Sequence, residues 1–124
     1  MPKPDPVERL PLSLPVFQVL LSLCEEPMHG YALLTDIRDR TETTVQLGAG
    51  TLYAAIRRME AAGMVEETSP PDGEEVTDAR RRYYRITDHG RALAAAEARR
   101  VRRLADLASA RIPMDVEAPE AGRG

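Results

Sequence analysis

The chain has few of the residues that mark secreted, sheet-rich or membrane proteins. Its 124 residues include no Trp, one Phe, four Tyr and a single cysteine. One cysteine excludes a disulfide framework within the chain and fits a reducing compartment. No apolar run approaches the roughly 20 residues of a membrane span, and residues 1–11 lack a signal-peptide pattern. We therefore expect a cytoplasmic, mainly helical protein that has no membrane partner.

The usual signatures of catalysis and metal binding are also missing. His29, His89 and Cys24 are the only soft metal-ligand candidates, and they lack the close spacing of a zinc site. The sequence contains no recognisable motif for a catalytic nucleophile, for a glycine-rich phosphate-binding loop or for a pair of catalytic carboxylates. We expect neither an enzyme nor a metal site, and no cofactor.

Charge is unevenly distributed along the chain. The net charge is −3, which disfavours indiscriminate binding to nucleic acid. Residues 1–47 carry 4 basic and 7 acidic side chains, whereas residues 87–112 carry 6 and 3, and residues 80–85 alone hold four Arg. A local anionic partner is therefore compatible with the acidic total.

The apolar pattern predicts three helices, a hairpin and a fourth helix, with no internal repeat. Ser13 caps the first helix, the second runs from Tyr31 to Arg40, and the third has the clearest period. Its apolar positions, at i, i+3, i+4 and i+7, are Leu52, Ala55, Ile56 and Met59.

After Gly63, segments 64–68 and 81–86 read as strands, and Thr87 caps a helix that reaches about Arg111. The fold class is mainly α with a small β-hairpin: a winged helix-turn-helix plus a C-terminal dimerisation helix. We expect a flexible segment at 1–12, a DNA-binding domain at 13–87, a dimerisation helix at 88–112 and a flexible tail at 113–124.

The third helix is the first candidate for contact with DNA. Its apolar stripe must face the core, which leaves Gly50, Ala54, Arg57 and Ala61 outermost. One helical face fits the major groove, which is roughly 12 Å wide. The candidate DNA-binding residues are Tyr31, Gly50, Thr51, Tyr53, Arg57, Arg58, Arg80, Arg81 and Arg82.

An ordinary solvated helix face and a purely structural hairpin remain alternatives. The acidic loop Asp72 to Asp78 would repel phosphate or pair with the hairpin arginines.

The last helix is too long for one small core to cover. About 24 residues extend about 36 Å at 1.5 Å per residue, so its distal half should pack on a second subunit. The candidate dimer-interface residues are Phe17, Leu93, Val101, Leu104, Ala105, Leu107, Ala108 and Ile112. The alternative is that this helix folds back on the first helix of the same chain.

Three ordered blocks resemble the PadR family of bacterial transcription regulators. They are residues 28–34 (MHGYALL), residues 50–63, which include GTLY and IRRME, and residues 82–90, which begin RYYRIT. The family usually has Ser-Pro-Gly where this chain has Gly48-Ala49-Gly50, so a capping serine is absent. Relatives that stack planar drugs use a tryptophan, which this chain lacks.

The resemblance implies a homodimeric repressor that binds a pseudo-palindromic operator in double-stranded DNA. In some members small aromatic or cationic effectors release the DNA, so a small-molecule effector is a further expected partner. Two other hypotheses remain open. One is a winged-helix protein-interaction module whose acidic loop binds a basic partner, and the other is a ligand- or metal-sensing protein without DNA affinity.

Overall fold

The computed structural model describes residues 10–70 and 82–115. Its helices are α1 (Leu14–Glu25), α2 (Gly30–Arg40), α3 (Ala49–Ala61) and α4 (Asp88–Arg111). Its strands are β1 (Met28–His29), β2 (Val65–Thr68) and β3 (Tyr83–Ile86). The predicted fold class, mainly α with a small hairpin in the winged helix-turn-helix order, is confirmed.

Helix ends fall where short polar residues and glycine predict them. The Ser13 hydroxyl accepts from the Val16 amide at 3.4 Å, and Thr87 Oγ1 accepts from the Gly90 amide at 3.0 Å. Each bond satisfies one of the backbone donors that a helix start leaves unpaired. Gly63, just past α3, has φ 75°, a left-handed conformation that glycine adopts without steric cost.

The strand β1 was not expected from the sequence, which predicted no strand before residue 64. Met28 and His29 pair antiparallel with Tyr84 and Tyr83, and the sheet order is β1-β3-β2. Two residues are too few to show an alternating pattern, so the pairing depends on the partner strand. The hairpin is thus one part of a three-stranded sheet.

One hydrophobic core holds these elements together, and α1 lies at its centre. This helix contacts α2, α3, α4 and β3. The largest fully buried side chains include Leu20, Leu23, Leu33, Ile37, Leu52, Ile56, Met59 and Leu93. Because α3 packs its apolar stripe on this core, its other face is directed outward.

The connection between α2 and α3 contains two left-handed residues, Glu42 at φ 51° and Thr43 at φ 64°. Such a conformation costs a non-glycine residue roughly 1–2 kcal/mol. Thr41 Oγ1 donates to the Ile37 carbonyl at 2.7 Å and accepts from the Val45 amide at 3.1 Å. These bonds hold the turn that sets α3 across α2.

The start of α4 is fixed to the turn between α3 and β2. Thr87 Oγ1 lies 2.6 Å from the Gly63 carbonyl, to which it donates. A Cβ at Gly90 would lie only 2.2 Å from the Met64 carbonyl oxygen. Glycine at position 90 therefore allows the helix to approach that backbone closely.

Candidate nucleic-acid interface

The outward face of α3 has the composition predicted for it. Leu52, Ala55 and Met59 are fully buried and Ile56 is 1% exposed, which confirms the predicted core stripe. On the other side Gly50, Arg57 and Ala61 are exposed and Ala54 is half-buried. The helix therefore presents small residues flanking one arginine, a surface that another backbone can approach closely.

The N-terminus of α3 is open. Gly48 caps the helix without a side-chain hydrogen bond, as the missing serine predicts. A Cβ at Gly48 or at Gly50 would meet no atom within 4 Å. Thr51 is also exposed. The unpaired amides of this first turn carry partial positive charge, which favours an anionic neighbour.

Arg57 and Arg58 carry the positive charge of this helix. Both side chains are exposed. Neither forms an ion pair with another residue of the described parts of the chain, where the ion pairs involve other arginines. A guanidinium without an internal partner keeps its five donors available for a phosphate or for a guanine edge.

Tyr53 lies on the flank of α3 that faces the start of α2. Its side chain is 40% exposed, and its hydroxyl end lies against Gly30. The sequence placed Tyr53 among the DNA-binding candidates, but it carried no signal of this contact between positions 23 residues apart.

The start of α2 brings Tyr31 to the surface. Its ring is 71% exposed and lies nearly parallel to the His29 ring, with centroids 6.5 Å apart. His29 Nδ1 accepts from the Ala32 amide at 3.1 Å, which caps α2. The capping role of His29 was missed, because histidine is not among the common N-cap residues.

The hairpin arginines differ from those of α3 because β2 supplies them with carboxylates. Arg85 pairs with Glu66, its direct cross-strand neighbour, and Arg82 Nε lies 3.7 Å from Glu67 Oε1. Both arginine side chains are more than half exposed. Arg80, Arg81 and the acidic loop 72–78 lie outside the described residues.

Tyr83 and Tyr84 are both 5% exposed, but Tyr84 belongs to the hydrophobic core, whereas Tyr83 packs edge-on against the His29 ring. Burial raises the pKa of the Tyr84 phenol, and the carboxylates of Glu60 and Glu67 raise it further. The phenol therefore stays protonated at neutral pH. Glu60 of α3 therefore lies on the side of the helix near Tyr84.

The candidate dimer surface divides at the middle of α4. Leu93 is fully buried in the chain's own core, so its expected place in a subunit interface is wrong. Beyond Glu97 the apolar side chains are exposed: Val101 by 41%, Leu104 by 55%, Leu107 by 48% and Ile112 by 56%. Ala105 is exposed, Ala108 is half-buried on the same helix, and Phe17 is half-buried on α1.

Glu97, which the sequence did not single out, ends the buried half of α4. It is 2% exposed and accepts from the Leu12 amide at 2.9 Å and from Arg100 Nε at 2.5 Å. The Arg100 guanidinium and the Leu12 amide hold the pKa of this carboxyl below its usual range, although burial opposes them. This charged group therefore fastens residues 10–12 to α4.

Residues 19–96 match the Transcriptional regulator PadR-like family. The chain belongs to the PadR-like family of transcriptional regulators. This assignment agrees with the expectation that the protein is not an enzyme. It also confirms the resemblance carried by the MHGYALL, GTLY and RYYRIT segments.

Solved structures with the same fold include a transcriptional regulator from Clostridium thermocellum, at 26% identity and TM-score 0.66, with 79% of this chain and 89% of that chain covered. A PadR family transcription regulator from hypervirulent Clostridium difficile R20291 has 20% identity and TM-score 0.67, with 79% and 97% covered. A PadR-like regulator from Bacillus cereus has 22% identity and TM-score 0.65, with 82% and 92% covered.

A curated relative, an uncharacterised protein of Lysinibacillus sphaericus, is 32% identical over 74 residues, or 60% of this chain. The match spans 65% of that relative's length.

Among residues 10–70 and 82–115, no helix has the length and apolarity needed to cross a membrane. Within the same ranges, no group of three or more His, Cys, Asp or Glu side chains could hold a metal ion.

Proposed function

We propose that this PadR-like regulator binds double-stranded DNA as a homodimer, with α3 in the major groove, and represses transcription. The observation that carries the proposal is the outward face of α3. Opposite the buried stripe of the helix, this face presents small residues and two exposed arginines, Arg57 and Arg58, that form no ion pair within the described chain.

The arginines of the hairpin and those of α3 differ in whether a carboxylate lies beside them. Arg82 and Arg85 already face Glu67 and Glu66, so a phosphate would have to compete with a carboxylate for each of them. Arg57 has no such competitor in the described chain. We therefore assign base or phosphate recognition mainly to Arg57 and Arg58, and place Tyr31 and Thr51 at the phosphate backbone beside them.

The distal half of α4 supports the dimer. Residues 98–111 would extend about 21 Å from the core at 1.5 Å per residue. Their apolar side chains lie on the same side of α4 as the residues that its first half buries, and this continuous row is the apolar seam. A second copy would cover this seam about a two-fold axis, and two α3 helices related in this way would read a pseudo-palindromic operator. In this proposal residues 13–87 bind DNA and the distal half of 88–112 dimerises.

The decisive experiment is selection of genomic DNA fragments by the purified protein, followed by affinity measurements on the enriched motif. Arg57→Ala should weaken operator binding by about 1–3 kcal/mol and relax specificity at one position. The logarithm of affinity should fall with that of salt concentration, with a slope near −0.9 for each phosphate contacted. Arg85→Ala is the matched control and should have a smaller effect.

Selection of no motif, together with capture of a basic protein, would favour the protein-interaction module instead. Equal losses for Arg57→Ala and Arg85→Ala would contradict the assignment of recognition to α3.

The dimer is tested by sedimentation of Leu104→Glu, which places a charge on the apolar seam. We expect this variant to be monomeric and to bind the operator weakly. Arg102→Glu, on the opposite face of the same helix, is the control and should leave the dimer intact. The proposals of repression and of release by a small-molecule effector both follow from the family resemblance. Expression from a promoter fusion, measured with and without the protein, tests whether the protein represses or activates transcription.

A further inference from the structure

Gly30 and Tyr53 occupy one site between α2 and α3. A Cβ built on Gly30 would lie 2.1 Å from the Tyr53 hydroxyl oxygen, 2.7 Å from Cζ and 3.1 Å from Cε1. The first two separations are shorter than any that a real Cβ accepts. The tyrosine ring therefore occupies the space that a side chain at position 30 would need.

The contact joins α2 and α3 close to the start of each helix. Gly30 is the first residue of α2, and Tyr53 is the fifth residue of α3. The other end of α2 is held by the turn in which Thr41 bonds both Ile37 and Val45. Both contacts add to the core packing between α2 and α3, and the tyrosine ring is the one that joins the start of α2 to α3.

The pose of Tyr53 also limits what its hydroxyl can reach. The hydroxyl is the atom nearest to Gly30, so the polar end of the side chain is directed at α2. Tyr53 stands on the flank of α3, beside the outermost row formed by Gly50, Ala54 and Arg57. Arg57 lies one turn later on the same side of α3. If the ring allowed α3 to tilt, the direction of the Arg57 side chain would change with the helix.

We propose that Tyr53 and Gly30 form a packing pair that sets the orientation of α3, so that Tyr53 is a positioning residue for DNA recognition. It acts through Gly30 on the direction of Arg57 and does not read bases itself. This inference rests on the proposed function, because orientation of α3 matters only if α3 contacts DNA.

A double-mutant cycle tests the pair through the dissociation constant for the selected operator. Gly30→Ala should weaken operator binding on the order of tenfold, because the methyl group must displace the ring. Tyr53→Ala should weaken it to a similar extent, because the support is lost. The double variant should be no weaker than Tyr53→Ala alone, since the methyl group then enters vacated space.

Tyr53→Phe separates packing from hydrogen bonding. The ring atom Cζ remains within 2.7 Å of a Cβ at position 30, so the phenylalanine ring should preserve positioning and operator affinity within about threefold. Adding Gly30→Ala to Tyr53→Phe should again weaken binding. Affinity for non-specific DNA should fall less than operator affinity in all these variants, because none of them removes a charged side chain.

Gly90→Ala is the control for a methyl group added near a helix start, because its Cβ would meet the Met64 carbonyl oxygen and the Ile86 side chain, not Tyr53. Any effect of Gly90→Ala on operator affinity should add to that of Tyr53→Ala without coupling. Free energies of unfolding are measured for every variant. Even if Gly30→Ala is poorly folded, its recovery by Tyr53→Ala in the double variant reports the same coupling.

The results separate this inference from the function on which it rests. Additive losses in the cycle, while the operator is still bound, would overturn the pair and leave the proposed function standing. A loss in Tyr53→Phe equal to that in Tyr53→Ala would show that the hydroxyl contacts DNA. Failure to select any DNA motif overturns both proposals, even where the unfolding cycle shows the packing contact.

Discussion

The two halves of α4 share one helix and one apolar seam, yet they have opposite surroundings. Between Asp88 and Glu97, the residues Gly90, Leu93, Ala94, Ala96 and Glu97 are buried by the chain itself. From Ala98 to Arg111 no residue is buried, although leucines continue along the seam. An amphipathic period thus shows that a face is to be covered, but it does not say by which chain.

Truncation of a leucine to alanine on each half of α4 should measure this difference in burial. Leu93→Ala, on the buried half, has the larger expected effect. Its side chain is fully buried, so the truncation leaves a cavity and should cost about 2–5 kcal/mol of unfolding free energy. Urea unfolding at equilibrium measures it. A loss below about 1 kcal/mol would mean that the core relaxes around the site and that the buried half is less tightly packed than described.

Gly90→Ala should destabilise the fold by about 1–3 kcal/mol, because the added methyl group would overlap the Met64 carbonyl oxygen. The normal preference of helices for alanine acts in the opposite direction. The control is therefore Ala98→Gly at an exposed position inside the distal half, where glycine should be the less stable residue by about 0.5–1 kcal/mol. Both substitutions should destabilise the fold, because glycine is favoured at position 90 and alanine at position 98, and a gain in stability for Gly90→Ala would break the contrast.

Glu97→Gln should cost about 1–3 kcal/mol at pH 7, because a buried charged acceptor of the Leu12 and Arg100 hydrogen bonds is lost. The pKa of Glu97 is lower in the folded chain than its ordinary 4.5, so the carboxylate contributes stability above that pH. This contribution disappears as the pH falls through the folded pKa.

The difference between parent and Glu97→Gln should therefore shrink in unfolding curves measured below pH 4.5. Asp106→Asn, which removes an exposed carboxylate from the distal half, is the control and should change the unfolding free energy at pH 7 by less than about 0.5 kcal/mol. A constant difference between pH 7 and pH 3 would contradict the role assigned to the Glu97 charge.

Leu104→Ala is expected to have the smallest effect on the single chain. Its side chain is 55% exposed, so unfolding free energy at high dilution should change by less than about 0.5 kcal/mol. At higher concentration the parent should melt at increasing temperature as dimer forms, and the variant should lose part of this dependence. A large loss at high dilution would indicate that α4 folds back on its own chain.

Much of this architecture could be predicted because its signals are local. Ser13, Thr87 and Gly63 mark helix ends through bonds or conformations that involve their near neighbours. The stripe on α3 repeats with the helical period, so its burial also follows from the sequence. Such features need no knowledge of what packs against them.

The features that sequence reasoning missed depend on contacts between distant residues. Strand β1 exists because β3 pairs with it, and the Leu12 to Glu97 bond joins positions 85 residues apart. Tyr53 was predicted as a DNA contact because its flank of α3 is exposed, while its contact with Gly30 carries no sequence pattern. Leu93 was misplaced because the apolar seam continues without a break from the buried half of α4 into the exposed half.

The bond between Leu12 and Glu97 also has a practical consequence for handling the protein. Leu10 is two residues before that bond, which places it within about 7 Å of Leu12. Residues 10–12 therefore lie beside the point where the exposed half of α4 begins. A shortened chain that starts after Leu12 would lose this bond and leave the Glu97 carboxylate to Arg100 alone, so its stability should be compared with that of the full chain before its oligomeric state is interpreted.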